Sequence, residues 1–242
     1  MATSRRRKRS TRTNAKLDWA FVETLLSSAV IRTAYLYGPP GIGKTYAAYH
    51  KGCGERNVYK ITLTEEMPAA EMRGHYVPRG GELVWQDGPF TAAMRCGGRL
   101  VINELSHASA DVAALLYPVL ESEETAELTL PTNETVRAAP GFEAVVTDNE
   151  PPTNLPPALR DRFDCILEIL EPHPEALALL SDPLRRAALD TFGLEEDRAV
   201  SLRSWLTLEK LQHELGLEHA CFGLFGLERG AQIFDAISLA RS

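Results

Sequence analysis

The 242-residue sequence holds no apolar run near the roughly 18 residues a membrane-spanning helix needs. A basic run opens the chain but no apolar segment follows it, so no secretory signal is read there, and no membrane contact is expected. Cysteine is scarce. Cys53, Cys96, Cys165 and Cys221 include no C-x-x-C pair, which argues against both a zinc cluster and a disulfide framework. Free, mostly buried thiols in a reducing cytoplasm are expected. The six histidines show no metal spacing, His107 and His173 included, and His75 and His107 read as loop or surface residues. No Ser/His/Asp order and no internal repeat is evident. Positive charge is in deficit overall, with a net charge of -7. Residues 1–16 nevertheless carry seven basic side chains and no acidic ones, leaving 19 basic against 33 acidic residues in the rest. A body of that sign does not bind nucleic acid over its general surface. The Arg/Ser/Thr-rich tail reads as disordered, and it alone is a candidate contact for nucleic acid or an acidic partner.

Against these absences stands one dense motif, Gly38-Pro39-Pro40-Gly41-Ile42-Gly43-Lys44-Thr45, a complete G-x-x-x-x-G-K-[ST] phosphate loop. The apolar run 33–37 precedes it and Tyr46-Ala47-Ala48-Tyr49-His50 follows, giving strand, glycine loop and helix in that order. Glycines let the backbone turn its N–H groups inward on phosphate oxygens, and the helix start adds partial positive charge. Lys44 is expected at the β- and γ-phosphates, the Thr45 hydroxyl on Mg²⁺, and Tyr46 beside the nucleotide. The chain is therefore expected to bind ATP with Mg²⁺.

Periodicity predicts a helix over 18–29, a strand over 57–63, and a helix over 65–72 with Thr64 as N-cap. Residues 73–88 read as a β-hairpin about 78–81, and Asp87 is placed to cap a helix over 90–95. Strands are expected at 99–104, 144–147 and 165–170, with helices over 111–121 and 157–163. Pro172 and Pro174 mark a boundary beyond which 175–242 looks entirely helical. The organisation expected is a disordered basic tail (1–16), a three-layer α/β core with a parallel sheet (17–171), and a small all-α lid (172–242).

Leu100-Val101-Ile102-Asn103-Glu104 begins 55 residues after Thr45 and ends a buried strand in two polar groups, where open α/β sheets place their ligands. Glu104 is placed to polarise the water that attacks a γ-phosphate. Asn103 stands where a second acid is usual; its amide oxygen can hold a Mg²⁺-bound water without the charge of a carboxylate. Asn149 either orients the attacking water or is a turn asparagine. Arg160 and Arg162 in Leu159-Arg160-Asp161-Arg162-Phe163 offer an arginine finger to a neighbouring subunit, or an internal pair with Asp161 or Asp164. Arg203 either covers the phosphates or is a surface arginine.

With those residues in place the chain resembles AAA+ ATPases of the MoxR and dynein-related group. The resemblance covers about 33–206 and rests on 38–45, Arg73-Gly74 through Gly81-Glu82, Trp85-Gln86-Asp87-Gly88-Pro89, 100–104, Asn149, 157–163 and Arg203. It implies Walker A residues at Lys44 and Thr45, Walker B positions at Asn103 and Glu104, sensor 1 at Asn149, the finger at Arg162 and sensor 2 at Arg203. It further implies a helix-2 insert at the hairpin, facing the pore or the client, and a hexameric ring. The partner remodelled with ATP would be a protein, frequently one with a von Willebrand factor A domain. Hydrolysis at the ring interfaces is the function expected. The alternatives are a nucleotide-gated scaffold in which Asn103 weakens or removes hydrolysis, and a nucleic-acid-dependent ATPase that uses the tail.

Overall fold

Apolar side chains at alternate positions of five short strands decide the architecture. The computed structural model describes residues 18–192 and 200–241; the basic tail lies outside the described residues. The chain begins with α1 (Trp19–Leu26), β1 (Thr33–Tyr37), α2 (Lys44–His50), β2 (Val58–Thr62) and α3 (Ala69–Arg73). A hairpin of β3 (Gly74–Arg79) and β4 (Glu82–Asp87) leads to α4 (Pro89–Cys96), β5 (Arg99–Asn103) and α5 (Ala110–Val119). A smaller hairpin, β6 (Glu127–Thr129) and β7 (Thr135–Arg137), precedes β8 (Glu143–Asp148), α6 (Pro157–Arg160) and β9 (Cys165–Glu168). Among the described residues five helices follow: α7 (Pro174–Ala178), α8 (Asp182–Thr191), α9 (Leu202–Leu215), α10 (Leu217–Phe225) and α11 (Leu227–Arg241).

The sheet runs β2-β5-β8-β1-β9 with every neighbour parallel. Leu100, Ile102, Ala144, Val146 and Tyr35 point to the face covered by α3, α4 and α5. Val101, Val145, Ala34 and Leu36 point to the opposite face, covered by α1 and α2. A sheet buried on both faces requires near-continuous apolar strands, and β5 and β8 are buried along their whole length. The α/β expectation with a parallel sheet, an inserted hairpin and a helical C-terminal region is borne out. Leu184, Trp205, Leu208, Ala220 and Ile237 form a separate core among the last helices.

Local expectations were corrected at four points. Helix α3 begins after Pro68, not at Thr64, because a residue before proline is pushed out of helical geometry; Thr64 instead accepts a turn bond from the Met67 N–H. Asp87 does not cap α4: Gly88 is the N-cap, and the Asp87 carboxylate accepts from Trp85 Nε1 (2.7 Å) and Arg95 Nε (2.9 Å). Helix α6 ends at Arg160 rather than 163. The β6–β7 hairpin was not foreseen, since three-residue strands leave too little alternation to read. All four cysteines are free; Cys53 and Cys221 are buried, and Cys96 is exposed. Among the described residues no helix is long and apolar enough to cross a membrane.

Arg99 is a charged side chain built into the core. Arg99, fully buried at the start of β5, donates to the Leu26 carbonyl (3.0 Å), the Ala48 carbonyl (3.0 Å), the Lys51 carbonyl and the Glu143 carboxylate. Those carbonyls are ones that helices α1 and α2 leave without intrahelical partners at their C-terminal ends, where a cation is favoured. Removing Arg99 would leave three carbonyls without their donor and leave Glu143 to its second partner, Arg56 (3.2 Å). Arg99→Met is expected to lower unfolding stability by about 3–5 kcal/mol, read from urea denaturation.

Candidate functional site

The loop between β1 and α2 wraps toward the carboxyl edge of the sheet, and none of its three glycines leaves room for a side chain; a Cβ on Gly41 would meet Ser201 Cβ at 2.6 Å. Gly38 has φ 142°, and a Cβ there would lie 2.0 Å from the Ile169 carbonyl oxygen. Gly43 has φ 106°, and a Cβ there would meet His173 Cβ at 2.7 Å. The C-terminal helices grip the same loop: the His173 N–H bonds the Ile42 carbonyl (2.8 Å) and the Leu202 N–H bonds the Gly41 carbonyl (3.1 Å). Above the loop opens a cleft of about 780 Å³ whose walls include Gly41, Gly43 to Tyr46, Glu104, Asn149, Leu179, Arg203 and Lys210.

Lys44 is the centre of this cleft. Its Nζ donates to the Gly38 and Pro39 carbonyls (2.7 Å each) and to Asn149 Oδ1 (3.1 Å). Burial brings its pKa down to about 8, against the opposing pull of the Glu104 and Asp148 carboxylates. The Asn149 amide then donates to both Glu104 oxygens, 3.3 Å each. Lysine, asparagine and glutamate from three separate segments thus form one hydrogen-bonded chain. Glu104 has φ 58°, a left-handed conformation that costs a non-glycine residue of order 1 kcal/mol.

Asn103 lies behind this chain and is buried. Its Oδ1 accepts from the Thr147 hydroxyl (2.6 Å) and the Thr45 hydroxyl (3.1 Å), while its Nδ2 donates to Thr62 Oγ1 (3.2 Å) and the Ile61 carbonyl (3.3 Å). The Ile61 carbonyl can only accept, which fixes the amide's orientation with its oxygen toward Thr45. Thr45 and Asn103 therefore offer two adjacent oxygens, a donor set suited to a hydrated Mg²⁺. Tyr46 stands at the cleft wall with its hydroxyl on Glu175 (3.0 Å). Arg203, at the start of α9, is exposed and lines the cleft.

Arg162 is elsewhere. Its carbonyl accepts the Thr33 hydroxyl (2.8 Å) at the beginning of β1, whereas the phosphate loop follows the end of that strand. The guanidinium donates to the Tyr117 carbonyl (3.0 Å), the Ala158 carbonyl (2.5 Å) and the Glu121 carboxylate, and it lies over the Tyr117 ring. Its acidic partner is Glu121, neither Asp161 nor Asp164; Asp164 instead accepts the Arg32 and Thr33 N–H groups. Arg160 is exposed, and among the described residues it has no ion pair. His173 was passed over in the sequence as one of six unpatterned histidines. It is fully buried against Trp19 and Tyr46, and Pro172 and Pro174 on either side were its only visible signal.

The model of the AAA domain (dynein-related subfamily) matches residues 34–163, more than half of the chain. The chain belongs to this family. Protein NorQ of Paracoccus denitrificans is 32% identical over 69% of this chain and 60% of its own length. Denitrification regulatory protein NirQ of Pseudomonas aeruginosa is 34% identical over 53% of this chain and 51% of its own. Protein CbbQ of Hydrogenophilus thermoluteolus is 30% identical over 47% of this chain and 43% of its own. The chain thus spans roughly half of the curated relatives it matches. A solved RuvB mutant of Thermotoga maritima aligns with a TM-score of 0.54 at 17% identity, over 90% of this chain and 67% of that one, and speaks for the fold alone. The resemblance to MoxR and dynein-related AAA+ proteins is borne out, and AAA domain membership implies nucleotide binding.

Two outcomes follow from the geometry. Phosphate binding restores the charge on Lys44, so at pH 9 Mg·ATP binding is expected to take up close to one proton, and affinity should fall up to tenfold per pH unit above 8. Calorimetry in buffers of different ionisation enthalpy reads this, and Lys44→Arg should abolish the uptake. Asn103→Asp sets a carboxylate oxygen against the Ile61 carbonyl. It should cost about 1–3 kcal/mol of stability in metal-free buffer, measured by chemical denaturation.

Proposed function

We propose that this protein is a MoxR-like AAA+ ATPase that hydrolyses ATP at the interfaces of a hexameric ring and uses the cycle to remodel or activate a protein partner. The observation that carries the reading is the Lys44–Asn149–Glu104 chain, which joins the phosphate loop to the carboxyl edges of β5 and β8. The loop N–H groups and Lys44 would hold the phosphates, Asn149 would report the γ-phosphate, and Glu104 would take the proton of the attacking water. Thr45 and Asn103 would hold Mg²⁺, which when bound neutralises charge on the transferring phosphoryl group. Residues 17–171 form the ATPase core in this reading. Residues 172–242 form a lid that carries Arg203, and 1–16 form a tail outside the cycle.

Placing Arg162 at a phosphate requires a second subunit. Its side chain belongs to the amino edge of the sheet, and a five-residue strand separates that edge from the loop by about 15 Å. A guanidinium held there cannot serve its own nucleotide, and a neighbour's is the remaining target. One relative, NirQ, is a denitrification regulatory protein, which supports a regulatory role for this chain as well. A von Willebrand factor A domain is the client class the resemblance suggests.

A second reading, a nucleotide-gated scaffold with little hydrolysis, is favoured by one observation: the Asn103 amide is hydrogen-bonded on both sides and brings no charge to the metal. Phosphate release measured against protein concentration separates the two. Turnover per subunit should rise with concentration, vanish in Glu104→Gln, and drop about 10³-fold in Arg162→Ala with nucleotide affinity retained. Tight Mg·ATP binding with no release by the parent chain, with or without partner, would favour the scaffold.

A further inference from the structure

The most heavily ligated carboxylate of the site belongs to none of the residues assigned above. Asp148, the last residue of β8, is 1% exposed, and no basic side chain pairs with it among the described residues. Four donors converge on it. Oδ2 accepts the Ser106 N–H (2.7 Å), and Oδ1 accepts the Ser106 hydroxyl (2.9 Å), the Asn149 N–H (2.8 Å) and the Glu150 N–H (3.1 Å). A buried carboxylate supplied with this many donors holds its partners firmly.

The partners lie in two different segments. Ser106 belongs to the tight turn Leu105–His107 that follows Glu104, and the Glu104 carbonyl accepts the His107 N–H (3.0 Å) to close it. Asn149 and Glu150 begin the proline-rich loop after β8. One carboxylate therefore ties the turn that keeps Glu104 in its left-handed conformation to the loop that carries Asn149. The alternation of β8 explains why it is free to do so. Val145 and Thr147 point to the α2 face, where Thr147 bonds Asn103, while Ala144 and Val146 point to the α5 face, and Asp148 has their parity. Tyr35 packs on that same side and donates its hydroxyl to the Glu150 carbonyl (3.0 Å). Burial, and next the Asp148 charge, push the Tyr35 phenol well above its ordinary pKa, so it stays a donor.

We propose that Asp148 is a positioning residue of the hydrolytic site, the buried anion that sets the Glu104 carboxylate and the Asn149 amide at a fixed separation before nucleotide arrives. The inference rests on the reading of Glu104 and Asn149 given under Proposed function. Preorganised catalytic groups lose about 10²-fold for a displacement near 1 Å, and Asp148 touches neither phosphate nor water in this account. Asp148→Asn keeps the volume but turns an NH₂ group toward the Ser106 N–H, releasing the turn after Glu104 while leaving the phosphate loop untouched.

The test uses the full chain and two readouts, steady-state phosphate release and calorimetric affinity for ADP and for a non-hydrolysable ATP analogue. Asp148→Asn should lower kcat by about 10- to 100-fold with KM and ADP affinity within about twofold, and should narrow the analogue-to-ADP affinity ratio. Ser106→Ala, which removes only the hydroxyl bond, should show the same pattern at a few-fold and serves if the first variant folds poorly. Parent-like turnover and affinity ratio in both variants would overturn the assignment, as would an equal loss of ADP affinity and turnover. Were Glu104→Gln as active as the parent, the hydrolytic reading itself would fall, and Asp148 with it. Were the parent silent in turnover, the affinity ratio alone would decide.

Discussion

The buried guanidinium of Arg99 holds together parts of the fold that would otherwise be free to slide. It binds the carboxyl ends of α1 and α2 through the Leu26, Ala48 and Lys51 carbonyls and pairs with Glu143 at the start of β8. Arg99 also begins β5, the strand whose other end presents Asn103 and leads into Glu104. The same residue therefore fixes α2 against β5 and β8 at the amino edge, and the phosphate loop at the head of α2 inherits that registration at the carboxyl edge. A cation placed among orphaned helix carbonyls recovers part of its desolvation cost, which an apolar side chain of equal volume would never incur. The directional bonds are what an apolar substitute would lack: packing alone leaves a helix free to shift along a sheet face, whereas bonds aimed at three fixed carbonyls and a carboxylate do not.

That registration matters because the loop is held from the other side as well. The Ile42 and Gly41 carbonyls accept N–H groups of His173 and Leu202, so the C-terminal helices are bonded to the backbone that would carry the phosphates. Burial keeps the His173 imidazole below its ordinary pKa, and its Nδ1 accepts the Glu175 N–H (3.3 Å) at the start of α7. Glu175 in turn receives the Tyr46 hydroxyl and pairs with Lys51. In the proposed cycle, any change of the loop on nucleotide binding is delivered to α7 and α9 through short covalent and hydrogen-bonded paths, with few intervening side chains to absorb it.

Much of this was legible in the sequence because it depends on local rules. The phosphate loop is recognisable since its glycines answer to backbone geometry, and the strand ending in Asn103-Glu104 since a doubly covered strand must be apolar throughout. The hairpin at 74–87 announced itself by its Gly80-Gly81 turn. What escaped depends on distance in space. Arg162 pairs with Glu121 across 41 positions and Ser106 meets Asp148 across 42, and nothing in a one-dimensional pattern links them. Asp87 misled for the opposite reason: it has the right type and place for a cap, but Trp85 and Arg95 engage its carboxylate instead.

The two carboxylates nearest Lys44 divide their work according to environment. Glu104 receives only the Asn149 amide at 3.3 Å and keeps lone pairs facing the cleft, whereas Asp148 is saturated by donors of its own neighbourhood. The first has acceptor capacity left for a group in the cleft; the second has its oxygens committed to those donors. Lys44 feels both, and burial still outweighs them. A carboxylate at 103, bonded as Asn103 is to the residue after Lys44, would add a third negative group and hold the lysine more firmly charged. Asparagine there leaves burial less opposed, yet a lysine with a pKa near 8 is still mostly charged at neutral pH. In the proposed cycle the departure at 103 therefore reaches beyond the metal only above that pH, where holding phosphates would require the lysine to regain its proton.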